Sequence, residues 1–536
     1  EPVSDVRHLG NALDDLTTAA ELAVTTWPAV NGEDATLFGD RSVDVDTLRE
    51  VVGAVSDAST HLDSAQLELD EVSDSTIGVG TQLADARDEA DAVLAPLAAT
   101  ARRATKIADV LPDLFGADEE KTYLLALLNP SEQRYSGGAP LTVVPMEVAD
   151  GALTMGEARD TSDPDLFRVG RWDKVEGNPF HNGKLRLSTA TFAPDWSVSG
   201  EELLRGWARR TGQETDGLIA VDVVALADML RITGPVEAPI YGQLDETNFT
   251  KALIGDYDAY PDNEARKDLN RAIVPVFAER LLTPGDVLDK IESLRDSARG
   301  RHFALWMRDP DLQAAVTDIG LAGNLSDTDH DYLAVFNQNT NISKSDYWQR
   351  RSLASDVTLQ PDGSATVRLT ITVHNDSPPY ANQEFGDNRG GSSRTRWNGM
   401  TLGVFLPEGV EISSATVAGS PVGTNTFDYY GHPYKLLRLV LPPTETREAV
   451  LEYDVPAAAD ALGDGSLVYR LDLTPQGMVT PQAVSVKVQF PKGVDVSELP
   501  EGWTRAGRGQ ATYENPGLVT QPSFVLTGAP ASAATP

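Results

Sequence analysis

The sequence predicts a multidomain α+β protein: an N-terminal helical stalk, a central α/β domain and a C-terminal immunoglobulin-like β-sandwich. Three observations support this fold class. Apolar residues recur every three or four positions over residues 1–115, which indicates helices. Unbroken apolar runs alternate with amphipathic segments over residues 118–335. Period-two alternation, typical of strands, dominates residues 345–528, and residues 529–536 are predicted to be a disordered tail.

The N-terminal region is predicted to form long helices that meet along a narrow apolar seam, as in a coiled coil or helical hairpin. The residues at this spacing on the first helix are Val6, Leu9, Leu13, Leu16 and Ala20. Trp27-Pro28 marks a turn, and Thr47 with Glu50 forms a capping box for the second helix. Such a stalk serves as a spacer or an oligomer seam, so one expected assembly is an oligomer formed through this region.

Charge and cysteine content exclude several classes of function. The 536-residue chain has a net charge of −37 and contains no cysteine. A field of this sign repels phosphate backbones, so nucleic acid is excluded as a partner, and any phosphate site must be a local cluster of arginines. The absence of cysteine removes disulfides, thiolate zinc sites and cysteine nucleophiles together.

Composition also suggests a location. Acidic, cysteine-free chains rich in alanine, aspartate and threonine are common among exported proteins of Gram-positive bacteria with GC-rich genomes. We therefore expect a secreted or membrane-anchored protein of the cell envelope. No run of about 18 apolar residues occurs, and the chain begins at Glu1 rather than at methionine. Membrane attachment is thus expected through an N-terminal anchor absent from this chain.

The most informative segment is residues 123–138, in which an apolar run changes into a polar loop that ends in two glycines. Six apolar residues without alternation are typical of a central strand covered on both faces. Asn129, Glu132, Arg134 and the pair Gly137-Gly138 then lie just past its carboxyl end, where open α/β sheets bind ligands. The alternative is a capping turn in which Glu132 and Arg134 are solvated.

The rest of the central region alternates strands and helices, which predicts a three-layer α/β domain. The predicted elements are a strand over Leu141–Val148, a hairpin turn at Asp150-Gly151, a helix capped by Ser199 and Glu202, a strand over Gly217–Val221, and a helix that stops at Gly234-Pro235. Asp327, Asp329 and Asp331 lack the later residues of a calcium loop. They are predicted to begin a helix, where the dipole favours acidic residues.

Three arginines of this domain are candidate anion ligands. Arg159 follows a predicted strand, and Arg266 and Arg271 lie on one predicted helix. Guanidinium groups bind phosphate oxygens in a bidentate manner, which suits a phosphate pocket. The alternative is that the helical arginines pair with neighbouring carboxylates, Glu264 and Asp268 among them, on a solvated surface.

A second polar segment lies between the last two regions, at residues 337–346. Its candidate binding residues are Asn339, Asn341, Lys344 and Asp346. Amide groups at this density bind hydroxyl groups or cap backbone groups. We predict that this segment lies beside Asn129, Glu132 and Arg134; the alternative is an ordinary interdomain turn.

Several ordered motifs over about residues 118–375 resemble the bacterial domain-of-unknown-function family 4012. They are Asn129-x-x-Glu132-x-Arg134 with Gly137-Gly138, the segment Asp216–Asp222, the segment Ile232–Val236, and Asn339-x-Asn341-x-x-Lys344-x-Asp346. The middle of this region in turn resembles the LytR-CpsA-Psr phosphotransferases of Gram-positive cell walls. Leu153–Thr161 is similar to their strand ending in Pro-Arg-Asp-Thr, and Asp262–Arg271 resembles their arginine-bearing helix.

The resemblance implies an activity. Those enzymes move a glycan phosphate from a polyprenyl pyrophosphate to a wall hydroxyl, with arginines on the pyrophosphate and carboxylates on Mg²⁺. Carried over, Arg159, Arg266 and Arg271 would bind pyrophosphate, and Mg²⁺ would be the cofactor. The sequence departs from the pattern where Asn129 and Glu132 replace the metal-binding aspartates of the first loop.

Three functions therefore remain open. The first is an envelope phosphotransferase with Glu132, Arg134 and Arg159 as catalytic residues. The second is a non-catalytic protein that binds a cell-wall glycan or a polyprenyl-linked glycan. The third is a glycoside-acting enzyme that uses Glu132 with a second carboxylate such as Asp346, since paired carboxylates roughly 5 to 9 Å apart break glycosidic bonds. The substrate-binding residues expected beside them are Asn129, Gly137, Gly138, Arg266, Arg271, Asn339, Asn341, Lys344 and Asp346.

Overall fold

The structure is a computed structural model that describes residues 2–31, 35–39, 41–73, 79–238, 242–255, 263–281, 286–379 and 395–531. The helices are α1 (Pro2–Val30), α2 (Val45–Asp70), α3 (Val79–Ala108), α4 (Leu111–Leu114), α5 (Trp196–Thr211), α6 (Val223–Thr233), α7 (Asn263–Leu281), α8 (Val287–Arg299) and α9 (Pro310–Asp318). Shorter helical turns cover Leu187–Phe192, Lys251–Gly255 and Ser345–Trp348.

The strands alternate with these helices and then follow one another up to Pro530. They are β1 (Phe38–Gly39), β2 (Ser42–Val43), β3 (Lys121–Arg134), β4 (Gly137–Ala149), β5 (Ala152–Met155), β6 (Arg159–Asp160), β7 (Gly217–Asp222), β8 (Val236–Ala238), β9 (Gly242–Leu244), β10 (Phe303–Met307), β11 (Asp331–Asn339), β12 (Gln349–Leu359), β13 (Ala365–Asn375), β14 (Asn398–Phe405), β15 (Glu411–Val417), β16 (Ser420–Pro421), β17 (Phe427–Tyr429), β18 (His432–Leu441), β19 (Thr446–Val455), β20 (Ala459–Ala461), β21 (Leu467–Thr474), β22 (Ala483–Gln489), β23 (Val494–Glu498), β24 (Trp503–Gly507), β25 (Gln510–Asn515) and β26 (Ser523–Pro530).

The first sheet has the order β1-β2-β5-β4-β3-β7-β10, with β6 paired to β4. Strand β3 lies inside it, antiparallel to β4 and parallel to β7. Leu125 and Leu127 face a core that contains α6, whereas Leu124 and Ala126 face the core of α5. The prediction of a strand buried on both faces is confirmed. The apolar run of β3 has no polar face to present to water, so both of its faces are covered.

The N-terminal helices form a bundle in which α2 packs against both α1 and α3. Its core contains Leu9, Ala12 and Leu16 of α1, Leu62, Ala65 and Leu69 of α2, and Ala90 and Leu94 of α3. The predicted seam is partly wrong, since Val6 is 55% exposed and Leu13 is 63% exposed. Small alanines occupy the inner positions and allow the helices to approach closely. Alanine contributes little to a hydrophobic pattern, so the pattern did not reveal these positions.

Two local boundaries in this region differ from prediction. Pro28 lies inside α1 and does not mark a turn. Helix α2 begins one residue after Asp44, whose carboxylate accepts the Thr47 N–H at 2.7 Å, so Asp44 caps this helix in place of Thr47. Between α1 and α2, the β1–β2 hairpin pairs with β5 and joins the first sheet. The N-terminal region is therefore continuous with the central sheet.

Two further sheets fill the C-terminal part of the chain. Their orders are β17-β18-β14-β11-β21-β26-β23 and β16-β15-β19-β13-β12-β22-β25-β24, with β20 paired to β21. They share one apolar core. Val367, Leu369, Ile371 and Val373, which alternate along β13, all face that core and are fully buried, as predicted.

Three predictions about chain segments fail for identifiable reasons. Asp331 starts β11, not a helix, and its buried carboxylate accepts the Tyr469 hydroxyl at 2.7 Å. Helix α5 begins at Trp196 with Asp195 as its cap, so Ser199 and Glu202 lie inside it and are buried. Pro530 is the last residue of β26 and not part of a tail; residues 532–536 lie outside the described ranges.

We expect the contact between His302 and Asp222 to make stability depend on pH. Their side chains meet at 2.6 Å, and Asp222 caps α6. Burial opposes protonation of His302, but Asp222 outweighs it and raises the pKa of His302 above its ordinary value. The contribution of a raised histidine is complete below about pH 6.5 and is lost as pH rises through the raised pKa.

Urea unfolding of the parent and of a His302→Gln variant tests this expectation at roughly pH 6 and pH 9. The stability difference between the two proteins should shrink at the higher pH. His374→Gln, at a more exposed site on β13, is the control variant. A difference that stays constant or grows with pH would contradict the proposed pair.

Candidate functional site

Strand β3 continues past Leu128 to Arg134 through an irregular stretch. Its pairing with β4 shifts register between Asn129 and Gln133. The side-chain oxygen of Asn129 accepts hydrogen bonds from the backbone N–H and the hydroxyl of Ser131, at 2.9 and 2.6 Å. The predicted polar loop is therefore a bulge within a long strand, and Asn129 is fully buried in it.

Gly137 and Gly138 begin β4, which returns beside β3. A Cβ atom on Gly138 would lie 2.4 Å from the carbonyl carbon of Asn129 and 2.7 Å from its nitrogen. No side chain fits at that distance from a backbone. The structure thus gives Gly138 a packing role, in which its missing side chain lets the two strands close over the bulge.

Glu132 lies between two cations in the interior. One carboxylate oxygen accepts a hydrogen bond from Arg134 at 2.7 Å, and the other contacts the ammonium group of Lys344. The three side chains are at most 10% exposed. Burial alone would raise the pKa of Glu132, but the charges of Lys344 and Arg134 outweigh it and lower this pKa to about 2. Glu132 is therefore held as a paired carboxylate.

Asp346 joins the two polar segments directly. Its carboxylate accepts the backbone N–H of Gln133 at 2.9 Å and the side-chain amide of Asn339 at 2.8 Å. Asn341 lies two residues after Asn339, and its side-chain amide donates a hydrogen bond to the carbonyl oxygen of Trp397 at 2.8 Å. Burial raises the pKa of Asp346 to about 6 in spite of these hydrogen bonds. The predicted proximity of residues 337–346 to Asn129, Glu132 and Arg134 is confirmed.

Further buried polar residues of this network were not predicted. They are Gln133, Asn337, Gln349, Arg351, Asn398 and Gln476. Gln476 illustrates their role, since its amide nitrogen donates to the carbonyl oxygens of Arg134 and Asn337, both at 2.8 Å. The network thus fastens β3 of the first sheet to β11 of the second. Isolated glutamines and asparagines in strands carry no sequence signal that would reveal such long-range pairing.

The predicted arginine cluster lies elsewhere, next to β6. Arg159 pairs with Asp165 at 2.6 Å. Arg271 contacts Asp160 of β6 and also pairs with Glu264 and Asp268, each at 2.6 Å. The side chain of Arg266 lies outside the described residues. The described guanidinium groups are therefore engaged with carboxylates, as in the surface-pairing alternative.

These carboxylates do not offer a formed Mg²⁺ site. Asp160 faces Arg271 and accepts the Thr142 hydroxyl at 3.2 Å, while Asp165 and Asp268 face arginines. Across the described ranges, no three histidine, aspartate or glutamate side chains converge as a metal-binding group. Mg²⁺ is usually held by one or two carboxylates together with several waters and substrate phosphates. The ion remains a prediction from resemblance.

The structure also contains an apolar cavity of about 470 Å³ beneath the first sheet. Its walls come from β3, β4, β7 and β10, from α6 and α8, and from the N-terminal region, including Val30, Leu37 and Leu48. Lys290 of α8 is the one charged residue among the described lining residues. A volume of this size is typical of a small-ligand site. Nothing in the sequence marks it, because cavity walls and solid cores use the same residues.

The arginine cluster borders the core that forms this cavity. Ala158, the residue before Arg159, packs against that core, and Leu269 and Ile273 of α7 belong to it. The cavity-lining residues Leu125, Leu226 and Met229 are part of the same core. The arginine cluster and the cavity thus adjoin one apolar core.

Residues 118–258 match the model of a family described as "Protein of unknown function (DUF4012)". This match supports the predicted family assignment over that part of the chain. A comparison with curated proteins gives no match. No helix in the described ranges is long and apolar enough to cross a membrane.

Solved structures align with parts of the chain at low similarity. A protein from Streptococcus agalactiae aligns with a TM-score of 0.27 and 13% identity, over 40% of this chain and 77% of that one. For the M1 zinc metallopeptidase of Deinococcus radiodurans the values are 0.19 and 18%, over 33% and 41%. For yeast LTA4 hydrolase they are 0.22 and 7%, over 34% and 29%. No conclusion about activity follows from these alignments.

Proposed function

We propose that this protein is an extracytoplasmic component of the Gram-positive cell envelope that binds a polyprenyl-linked glycan without transforming it. The apolar cavity would hold the lipid chain, and the glycan would remain outside. The proposal assigns a LytR-CpsA-Psr-like fold to the central region and an immunoglobulin-like fold to the C-terminal sandwich. The single observation that carries it is the cavity of about 470 Å³ with an almost entirely apolar lining.

The physical case for a lipid rests on this lining. An apolar cavity offers water no hydrogen-bond partners, so it takes up apolar groups instead. Burying an apolar chain contributes roughly 25 cal/mol for each Å² of surface removed from water. An isoprenoid or acyl chain suits such a site, whereas a free sugar does not. The glycan part of the proposal rests on the resemblance of Leu153–Thr161 and Asp262–Arg271 to the wall phosphotransferases.

Binding is favoured over transfer by the state of the predicted catalytic groups. Glu132 and Arg134 are buried and paired, and Glu132 is enclosed between Arg134 and Lys344. A carboxylate with its pKa lowered to about 2 is a weak general base and a poor proton donor near neutral pH. Burial argues against the glycosidase alternative, because Glu132 and Asp346 are both buried among protein groups, whereas a glycosidase places its two carboxylates on either side of a bound sugar.

The first test is mass spectrometry of lipids that co-purify with the full chain. We expect a polyprenyl lipid in amounts comparable to the protein. Incubation of the loaded protein with wall glycan should release no free lipid carrier. Release that depends on Mg²⁺ would select the transferase instead, and the absence of any bound lipid would contradict the proposal.

Filling the cavity should separate lipid binding from stability. Ala225 of α6 lines the cavity and is 3% exposed. We expect Ala225→Phe to reduce bound lipid about tenfold, because the ring would occupy the space of the chain. The same change should leave the lipid-free protein as stable or raise its stability by about 0.5–2 kcal/mol, as cavity filling does. Lipid analysis and thermal unfolding measure the two effects.

Arg231→Phe is the matched control for this variant. Arg231 lies on the same helix, its side chain is 66% exposed, and it is not among the lining residues. Its replacement should leave bound lipid unchanged. Equal lipid in the Ala225→Phe protein and the parent would place the ligand outside the cavity.

A further inference from the structure

A second pocket lies on the α5 side of the first sheet, opposite the apolar cavity. It has a volume of about 560 Å³ and is formed by residues 171–174 and 181–183. The indole ring of Trp172 packs against α5, where a Cβ atom on Gly206 would lie 3.1 Å from it. Helix α6, which lines the apolar cavity, covers the other face of β3. The two sites are separate, so a ligand of this pocket is independent of the proposed lipid.

The segment that forms the pocket is held by one buried carboxylate, that of Glu202 on α5. This carboxylate accepts hydrogen bonds from the indole N–H of Trp172 at 2.8 Å, the backbone N–H of Val175 at 2.8 Å and the side-chain amide of Asn178 at 3.0 Å. It also lies 2.9 Å from Nδ1 of His181, and both of these side chains are 0% exposed. The pocket is therefore preorganised, because its indole and its imidazole share one anchor.

Several polar groups of the lining lack partners among the described residues. Nε2 of His181 is buried and makes no hydrogen bond with them. Arg171 and Lys174 are exposed, and neither side chain forms a hydrogen bond or an ion pair with them. A buried ring nitrogen without a partner costs free energy that a bonded ligand group or water would recover. Unlike Arg159 and Arg271, these two cations are not neutralised by described carboxylates.

The charge of this segment is opposite to that of the chain. Residues 168–186 contain five lysine and arginine residues and two acidic residues, whereas the whole chain has a net charge of −37. A local excess of positive charge attracts an anion at short range, although the chain as a whole repels it. Guanidinium and ammonium groups bind carboxylate and phosphate oxygens through charge-assisted hydrogen bonds. The segment therefore favours an anionic ligand.

We propose that this pocket binds an acidic saccharide, whose anionic group contacts Arg171 and Lys174 and whose ring packs on Trp172. The anion is the carboxylate of a uronic acid or the phosphate of a sugar phosphate, since both offer the same oxygens to the two cations. Asn182 supplies an amide for hydroxyl groups. An inorganic anion would use the cations but leave the indole and the amide without contacts.

Matched monosaccharides test the proposal by ligand-observed NMR titration of the full chain. Glucose, glucuronate and glucose-6-phosphate share a ring and differ in charge, whereas acetate and inorganic phosphate are the anions without a ring. The parent should bind at least one acidic sugar about tenfold more tightly than glucose and more tightly than the corresponding free anion. Preference for glucuronate alone identifies a carboxylate site, and preference for glucose-6-phosphate alone identifies a phosphate site.

Two variants complete the experiment. Arg171→Gln combined with Lys174→Gln should abolish the preference for the acidic sugar. Arg209→Gln is the matched control, since Arg209 is an exposed arginine of α5 that is not among the lining residues. Its replacement should leave the preference unchanged. All three arginine and lysine side chains are exposed, so both variants should melt at the temperature of the parent.

The outcomes also separate this pocket from the lipid cavity. If glucose and the acidic sugars bind the parent equally, if the free anions bind as tightly as the acidic sugars, or if the double variant keeps the preference, the acidic-saccharide pocket is wrong. The amount of lipid that co-purifies with the protein should be the same in the parent and in both variants. Loss of lipid from the double variant would contradict the independence of the two sites.

Discussion

Replacing Lys344 with methionine is expected to lower the free energy of unfolding by about 1–3 kcal/mol, the usual cost of leaving a buried group without one of its hydrogen-bond partners. The change would leave Glu132 in the interior with Arg134 as its remaining cationic partner. It would also weaken the attachment of β3 to the segment that precedes β12. Urea unfolding followed by tryptophan fluorescence measures the loss.

The pair should also persist in acid. Because Lys344 and Arg134 hold the pKa of Glu132 at about 2, its contribution is present above the unfolded pKa and is lost only as pH falls through the folded value. Arg368→Met is the control. It breaks the exposed pair between Arg368 and Glu452, and such pairs contribute about 0–1 kcal/mol. A similar loss of stability in both variants would show that the buried Lys344–Glu132 pair contributes no more to stability than the exposed Arg368–Glu452 pair.

Replacing Gly138 with alanine is expected to be at least as disruptive locally. The new methyl group would lie 2.4 Å from the carbonyl carbon of Asn129, which is backbone and cannot rotate away. Overpacking costs typically about 1–3 kcal/mol and more where the backbone must move. We expect the loss at or above the upper end of this range. Thermal unfolding and amide exchange at β3 and β4 are the measurements.

Gly53→Ala is the control for this variant and is expected to stabilise the protein. Gly53 lies inside α2, and a Cβ atom there meets nothing within 4 Å. An alanine inside a helix stabilises it by about 0.5–1 kcal/mol relative to glycine. If Gly138→Ala also proved neutral or stabilising, the close approach of β4 to the bulge would be wrong.

The fold was predictable where one periodicity had one physical cause. The unbroken apolar run of β3 means burial on both faces, and the alternation of Val367 to Val373 means burial on one. The seam of α1 was only partly predictable, because Ala12 and Ala19 face inward while the larger Leu13 faces outward. A hydrophobic pattern cannot choose between adjacent stripes when small residues line the tighter one.

The candidate functional features were also predictable only in part. The proximity of Asp346 to the Glu132 bulge could be predicted because both segments are densely polar and their polar groups need hydrogen-bond partners. The cavity could not be foreseen, since its lining runs from Val30 to Met307 and each lining residue suits a solid core equally well. The position of Lys290 in the cavity wall was not predictable for a related reason: a lysine on an amphipathic helix is usually solvated.

The walls of the cavity have a consequence for how the protein is made. The cavity wall that is synthesised first contains Val30, Leu37 and Leu48, and the wall that is synthesised last contains Phe303 and Met307 of β10. Until β10 has been synthesised, the apolar face of the sheet lacks an edge strand and part of its cover. The segment that matches the family, residues 118–258, contains neither wall. Expressed alone, residues 118–258 would lack the N-terminal residues and the strand β10 that cover this face, so we expect the isolated segment to aggregate.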